Sequence, residues 1–385
     1  MKADLILAGG GLANCLIAYR LHQLRPQLRV LVIEQGARLG GSHTWCFHHG
    51  DLHAAQHAWV APFIEHSWPY YDVRFAQFER RLEGGYYCFT DARLHALLCA
   101  ALGDKVVLET SLDVVATDHV ITQAGQRYDA PAVIDGRGIL HDSSLALGYQ
   151  KFVGLVLEFA QPHGLQGPVL MDATVEQRDG YRFFYSLPFD AHTLLVEDTR
   201  YSDAPQLQVA DMQDEVRAYA SKRHGHIARE RHQEQGVLPI VLSGDIHAFW
   251  RSEEPDVPRA GLRAALFNHV TGYSFPDAVR LADAICTQSV LESAALHRWV
   301  RAYSVASWSR QGFYRLLNRM LFWAGEPQHR HRVLERFYRL PAPLISRFYA
   351  SASTPADKLR ILSGKPPVPL LKAVRCMFAS SRPAR

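Results

Sequence analysis

Ala3-Asp4-Leu5-Ile6-Leu7-Ala8-Gly9-Gly10-Gly11-Leu12-Ala13-Asn14 decides the fold. A short apolar run reads as a buried β-strand, and three glycines follow at once. Leu16-Ile17-Ala18-Tyr19-Arg20-Leu21 then has helical spacing, and Arg29-Val30-Leu31-Val32-Ile33 is a second strand that ends on Glu34. This is a βαβ dinucleotide fingerprint in the context that gives the glycines meaning. Gly9 permits the tight turn, and Gly11 lets backbone amides approach a pyrophosphate. The helix N-terminus offers unpaired N–H groups and a favourable dipole to the phosphates, and Leu12, Ala13 and Asn14 of the turn are expected at the cofactor. Glu34 stands where a carboxylate accepts hydrogen bonds from a ribose 2′-hydroxyl and repels a 2′-phosphate. Asn14 replaces the third glycine of the pattern. The position of the fingerprint close to the N-terminus favours FAD over NAD.

Outward from this stretch, 385 residues suit two domains better than one. Hydrophobic residues make up 48% and charged residues 21%, enough for a sizeable core and too apolar for disorder. No signal peptide is expected, and no run reaches the roughly 18 uncharged apolar residues of a membrane span. Six cysteines lack any Cys-x-x-Cys pair, which speaks against a disulfide framework or zinc and for reduced thiols in the cytoplasm.

The net charge of +4 is unevenly spread. From Arg298 to Arg385 there are 17 Lys/Arg and 3 Asp/Glu, a net of +14, which leaves −10 for the remainder. The same segment carries Trp299, Trp308, Phe313, Tyr314, Leu316, Leu317, Met320, Leu321, Phe322 and Trp323, with Arg315 and Arg319 four apart. A basic, aromatic helix suits an anionic membrane interface, and a helical subdomain with solvated arginines is the competing reading. No motif supports nucleic-acid binding.

Residues 41–60 are rich in histidine, with His53 and His57 four apart. No Glu completes an H-E-x-x-H pattern, so loop packing near the nucleotide is expected and no metal. Thr90 reads as an N-cap, and 106–108 and 113–116 as strands that lead into a hairpin-like stretch to Tyr128. Ala132-Val133-Ile134-Asp135-Gly136-Arg137-Gly138 reads as a strand and turn returning to the nucleotide sheet, with Asp135 and Gly136 at the cofactor. Residues 180–188 and 193–199 form a long hairpin joined by Phe189-Asp190-Ala191-His192. The fold expected is α/β: a discontinuous Rossmann-like FAD-binding domain (1–150 and 240–297), an inserted antiparallel-sheet substrate domain (151–239) and a helical C-terminal region (298–385). Leu262–Phe267 reads as a strand, and the turn at Gly272 as the last flavin contact.

Glu197 and Asp198 interrupt the second arm of the hairpin, and strand alternation sends them to opposite faces. One of them points towards whatever the sheet covers. A carboxyl group held against apolar walls has its pKa raised and is a competent general acid. A solvated acidic pair on an edge strand is the alternative.

Gly9–Asn14, Gly41-Ser42-His43-Thr44-Trp45, Asp135–Gly138, Gly180-Tyr181-Arg182-Phe183, Val196-Glu197-Asp198-Thr199, His269-Val270-Thr271-Gly272-Tyr273-Ser274 and Ile361-Leu362-Ser363-Gly364-Lys365-Pro366-Pro367 occur in that order. Together they resemble the bacterial lycopene beta-cyclases of carotenoid biosynthesis over the whole length. The resemblance implies a peripheral flavoprotein on the cytoplasmic side of the cell membrane that converts lycopene to β-carotene through γ-carotene. It implies non-covalent FAD in its reduced form and NADPH as electron donor, in a reaction that is an isomerisation overall. It maps the essential carboxylate onto Glu197 and leaves Asp198, where the family often has a second Glu, as a shortened second acid. It also tolerates asparagine at position 14. The competing readings are an FAD-dependent hydroxylase or carotenoid desaturase, and a non-catalytic flavin-binding membrane protein. The Gly-Asp-Ala-Ala-His style motif of flavin hydroxylases is missing near Gly272, which weakens the first of these.

Overall fold

A computed structural model describes residues 2–138, 143–251, 256–364 and 368–379. The chain opens with β1 (Leu5–Ala8), a helix over Leu12–Leu24 and β2 (Val30–Ile33). All four residues of each strand are buried, as their unbroken apolar runs require. The chain then leaves this unit to form β3 (Thr44–His48), β4 (His66–Phe75) and β5 (Phe78–Thr90). Thr90 caps the next helix, Asp91–Leu102, by accepting the Arg93 N–H at 3.2 Å. After β6 (Val106–Val107), a small sheet is made by β7 (Leu112–Val115), β8 (His119–Thr122) and β9 (Arg127–Asp129). With β10 (Val133–Asp135) the chain returns and closes a parallel sheet in the order β10-β1-β2-β6. The helix Leu12–Leu24 covers this sheet and is covered in turn by Phe275–Cys286, through Leu16, Ile17, Val279 and Leu281.

The second sheet is built from β11 (Leu145–Phe159), β12 (Val169–Asp172), β13 (Tyr181–Pro188), β14 (Thr193–Ser202) and β15 (Ile227–Gly244), joined by β3, β4 and β5. Its order is β15-β11-β14-β13-β12-β4-β5-β3, antiparallel except where β12 meets β4. The β13–β14 connection is fastened by Asp190, whose Oδ1 accepts the His192 and Thr193 N–H groups at 2.8 Å each.

The sheet therefore reaches beyond the 151–239 segment expected for it and takes three strands from residues 44–90. Trp68, Tyr71, Val73 and Phe75 give β4 a buried aromatic face that belongs to this sheet's own core. The stretch Leu262–Phe267 is not a strand. Gly261–Ala264 is a 3-10 turn, and Gly261 and Ala265 have φ of +60° and +54°, which extended backbone does not permit.

One face of the large sheet carries Leu194, Val196 and Phe184 against Val216 and Tyr219 of the helix Val209–His224. The other carries Phe183, Tyr185, Leu195 and Tyr201, packed with Phe322, Tyr338, Leu344 and Ile345 from the C-terminal helices. These helices include Ser293–Arg310, Gly312–Arg319, Arg330–Tyr338, Ala342–Tyr349, Pro355–Leu362 and Leu370–Phe378. The end of the Ile361–Pro367 motif, from Lys365 to Pro367, lies outside the described residues.

Most of the apolar side chains noted in the sequence between Trp299 and Trp323 pack inward; Trp308, Tyr314 and Phe322 are fully inside. Arg315 and Arg319 do not form a free basic face. Arg315 stacks on Trp308 at 4.0 Å and donates to the Trp308 carbonyl, while Arg319 donates to the Leu242 and Cys376 carbonyls at 3.0 Å each. Exposed large apolar groups occur instead further on, at Leu359 and Leu362 and at Leu371 and Val374.

Candidate active site

The turn after β1 is shaped for a ligand. Gly9 has φ of +89°, and a Cβ there would press on Arg137 at 3.1–3.2 Å. A Cβ at Gly11 would meet only the Gly136 carbonyl, at 3.6 Å, so what glycine spares at that position is room on the cavity side. Gly11 is also the N-cap of the helix Leu12–Leu24 and supplies no side-chain cap, which leaves the first helical N–H groups for a ligand. Glu34 spans the turn: Oε2 accepts the Gly10 N–H at 2.6 Å and Oε1 the Gly36 N–H at 2.8 Å.

A cavity of about 550 Å³ begins at this turn. It is lined by Gly9, Gly11, Leu12, Ala13, Glu34, Gly136 and Gly272, and it continues to Glu197. One space thus joins the nucleotide turn to the acid of the hairpin. Asn14 and Asp135 do not line it. Asn14 is buried, and its Nδ2 donates to the Ala8 and Gly9 carbonyls at 3.0 and 2.8 Å, tying helix to strand. Asp135 is ion-paired to Arg137 at 2.9 Å and Arg263 at 3.0 Å, behind the Gly136 backbone. Both brace the turn from outside the cavity.

At the far end, Glu197 leaves β14 on the face shared with Leu195 and Tyr201. Burial, then the negative charge of Glu234, pushes its carboxyl well above the ordinary glutamate range, which favours the protonated form. Its register partner on β13 is Tyr185, whose hydroxyl lies 2.9 Å from that of Tyr86 and donates to Cys46 Sγ at 3.0 Å. Burial holds the phenols of Tyr185 and Tyr273 far above their usual range, hence neutral. Trp45, Phe152 and Phe275 add aromatic wall. A neutral acid among uncharged rings can protonate an apolar, electron-rich substrate.

Asp198 lies on the other side of the sheet. It is fully buried and held by Arg182, at 2.9 and 3.0 Å, and by Arg200, at 2.6 Å. Arg182 also reaches Glu215 at 3.0 Å. Asp198 faces the helix Val209–His224 and takes no part in the cavity.

The sequence profile of the family described as "Lycopene cyclase protein" matches residues 4–375. The chain belongs to this family. A lycopene beta-cyclase from Pseudescherichia vulneris is 50% identical over 372 residues, covering 97% of this chain and 96% of that one. Another from Pantoea ananas is 45% identical, covering 98% and 99%. Among solved structures, a p-nitrophenol 4-monooxygenase from Pseudomonas putida is similar with a TM-score of 0.58 at 14% identity, over 91% of this chain and 99% of that one. A geranylgeranyl bacteriochlorophyll reductase-like protein from Thermoplasma acidophilum gives 0.56 at 13%, over 97% and 98%. At such identities these likenesses describe the fold.

Within this lycopene cyclase family chain, the histidines of 41–60 have separate places, and His43 lines the cavity. His53 caps the helix Ala54–Val60, and His57 stacks on the His49 ring at 4.6 Å. Among the described residues no group of three or more His, Cys, Asp and Glu is arranged to hold a metal. Tyr273, Cys46 and Glu234 escaped the sequence reading. Tyr273 stands beside the motif glycine Gly272 and was within its reach. Glu234 sits in a polar stretch, Arg229–Gln235, that reads as a solvated strand, and only the pairing of β15 with β11 reveals its place.

Proposed function

We propose that this chain cyclises both ends of lycopene to β-carotene by way of γ-carotene, with Glu197 as the proton donor. The supporting observation is a buried glutamic acid, its pKa raised by burial and by Glu234, in the same cavity as the glycine turn. The glycine cradle, the uncapped helix and Glu34 fit FAD. Gly9, Gly11, Leu12 and Ala13 would hold its pyrophosphate, with Gly136 and Gly272 along its path. Bound in reduced form, with NADPH as the source of electrons, it supplies negative potential beside a cation without transferring a hydride.

Glu197 delivers its proton to C2 of the terminal C1=C2 bond and leaves a tertiary cation at C1. The C5=C6 bond attacks C1, the charge moves to C5, and loss of the C6 proton forms the β-ring. Atoms and electrons balance, as an isomerisation demands. Tyr185, Tyr273 and Phe152 exclude water from the cation and offer ring faces to it.

The same reading places the protein peripherally, on the cytoplasmic side of the membrane that dissolves its substrate. No helix of the described residues is long and apolar enough to cross a bilayer. Support for a lipid-facing surface comes from Leu359, Leu362, Leu371 and Val374, interspersed with the exposed Arg360, Lys372 and Arg375.

Replacing Glu197 with Gln tests the assignment. Cyclisation should be abolished while FAD remains bound and the protein stays folded; retained β-carotene formation would remove Glu197 from the chemistry.

A further inference from the structure

Three strands bring two acids together. In the register of β11, Gly154 pairs with Glu197 of β14 on one side and with Glu234 of β15 on the other. A Cβ on Gly154 would stand 2.8 Å from Glu197 Cγ and 3.1 Å from Glu234 Cγ. The glycine thus opens a gap that both side chains fill from opposite sides, on the same face of the sheet.

Glu234 is 3% exposed, and its Oε2 accepts the Thr44 N–H at 2.7 Å. Its Oε1 is buried and receives no hydrogen from any other described N–H or O–H group. Such an oxygen is costly unless a donor reaches it. The carboxyl hydrogen of Glu197 is the donor at hand, since the two side chains converge across Gly154.

Other groups around the pair do not neutralise it. Glu197 also faces Cys46 and Thr199, and the phenols of Tyr185 and Tyr273 feel its charge. Glu234 acts on Cys88 and on His43, which also faces Asp91; burial keeps His43 below the usual histidine range and therefore uncharged at neutral pH.

We propose that Glu234 is the positioning residue of the acid: anchored by the Thr44 N–H and set across Gly154, its carboxylate shares a single proton with Glu197, and the pair takes up the C6 proton at the end of each ring closure. This rests on Glu197 being the donor. When Glu197 protonates C2, the pair carries two negative charges and the substrate one positive charge. The proton released from C6 then returns to the pair, which regains its single proton, with no electron gained or lost. The same arrangement keeps Glu197 loaded at neutral pH and makes it a strong enough base to finish the reaction.

The test is the pH–rate profile of Glu234→Gln in the FAD-loaded protein with lycopene liposomes. Without the second negative charge, Glu197 ionises more easily, so the alkaline limb of the profile moves down by about one pH unit or more. Infrared spectroscopy gives a readout independent of turnover. The C=O stretch of a protonated carboxyl group is present at neutral pH, is lost in Glu197→Gln, and titrates away at lower pH in Glu234→Gln. An unchanged alkaline limb with an unchanged infrared titration overturns the proposal. Cyclisation by Glu197→Gln would instead overturn the parent reading. Should Glu234→Gln fail to fold, Gly154→Ala wedges the carboxyls apart and must shift both readouts in the same direction; a wild-type profile there contradicts the shared proton.

Discussion

Glu197 and Asp198 are neighbours in sequence and lie on opposite sides of the sheet: Glu197 faces the cavity, while Asp198 is clamped between Arg182 and Arg200. Strand alternation separates them and gives adjacent acids opposite surroundings. Glu197 lies beside a second carboxyl, which together with burial raises its pKa; Asp198 has two guanidinium groups and serves as their counter-charge.

Asp198→Asn should therefore act on stability before chemistry. It leaves two buried arginines facing a neutral amide, a loss of about 3–5 kcal/mol by analogy with other broken buried pairs. Urea unfolding measures it. Full stability with lost turnover would instead place Asp198 in the reaction.

The brace at the nucleotide turn makes a separate prediction. Asn14→Ala removes the amide that ties Ala8 and Gly9 to the helix and leaves two buried carbonyls without that donor. The expected cost is about 1–3 kcal/mol of stability, with weaker FAD retention. Thermal unfolding and flavin titration check both, and FAD affinity equal to that of the parent would show that the turn holds its shape alone.

Acid should destabilise the protein through its buried histidines. Burial lowers the pKa of His48 from 6.5 to about 4, and that of His269 well below its usual range. The folded state then binds fewer protons than the unfolded chain, so stability falls as pH drops from about 6.5 towards 4, by on the order of 2–3 kcal/mol for His48. Asp51, raised to about 6 by burial, works in the opposite sense by taking up a proton in the folded state. The contribution of His48 is isolated by difference: His48→Gln should lose less stability over this range than the parent. Equal losses would contradict the assignment.

At the C-terminal end, Leu359→Asp with Leu371→Asp, or Lys372→Glu with Arg375→Glu, should reduce sedimentation with anionic liposomes. High salt should partly release the parent protein, because the screening length falls to about 10 Å or less above 0.1 M. Undiminished binding by both variants would move the lipid contact elsewhere. Arg315 and Arg319 are unsuitable probes, because their guanidinium groups are bonded inside the fold.

Legibility in the sequence followed the range of the interactions. The β1–helix–β2 unit was readable because its strand, turn and helix signals are contiguous. So was the placing of Glu197 and Asp198 on opposite faces, which needs only a period of two; which of them faces the cavity was not. The contribution of β3, β4 and β5 to the large sheet was not readable, because pairing β4 with β12 joins residues near 72 to residues near 170. Leu262–Phe267 has strand-like composition, but the left-handed Ala265 between buried neighbours breaks it. Arg315 and Arg319 looked like a surface stripe until Trp308 and the Leu242 and Cys376 carbonyls claimed them. Glu234 was hidden for the same reason as β4: its meaning depends on a partner strand some 80 residues away.

The central claim is that Glu197 supplies a solvent-exchangeable proton in a redox-neutral ring closure. It is tested most directly by an anaerobic assay in heavy water, with lycopene in liposomes and FAD either oxidised or chemically reduced without nicotinamide. The account predicts β-carotene only with reduced FAD, carrying one solvent deuterium at C2 of each ring once the carboxyl pair has exchanged its proton with solvent between closures. Rings formed without solvent deuterium, or an oxidised product whose formation consumes NADPH or oxygen, would contradict it.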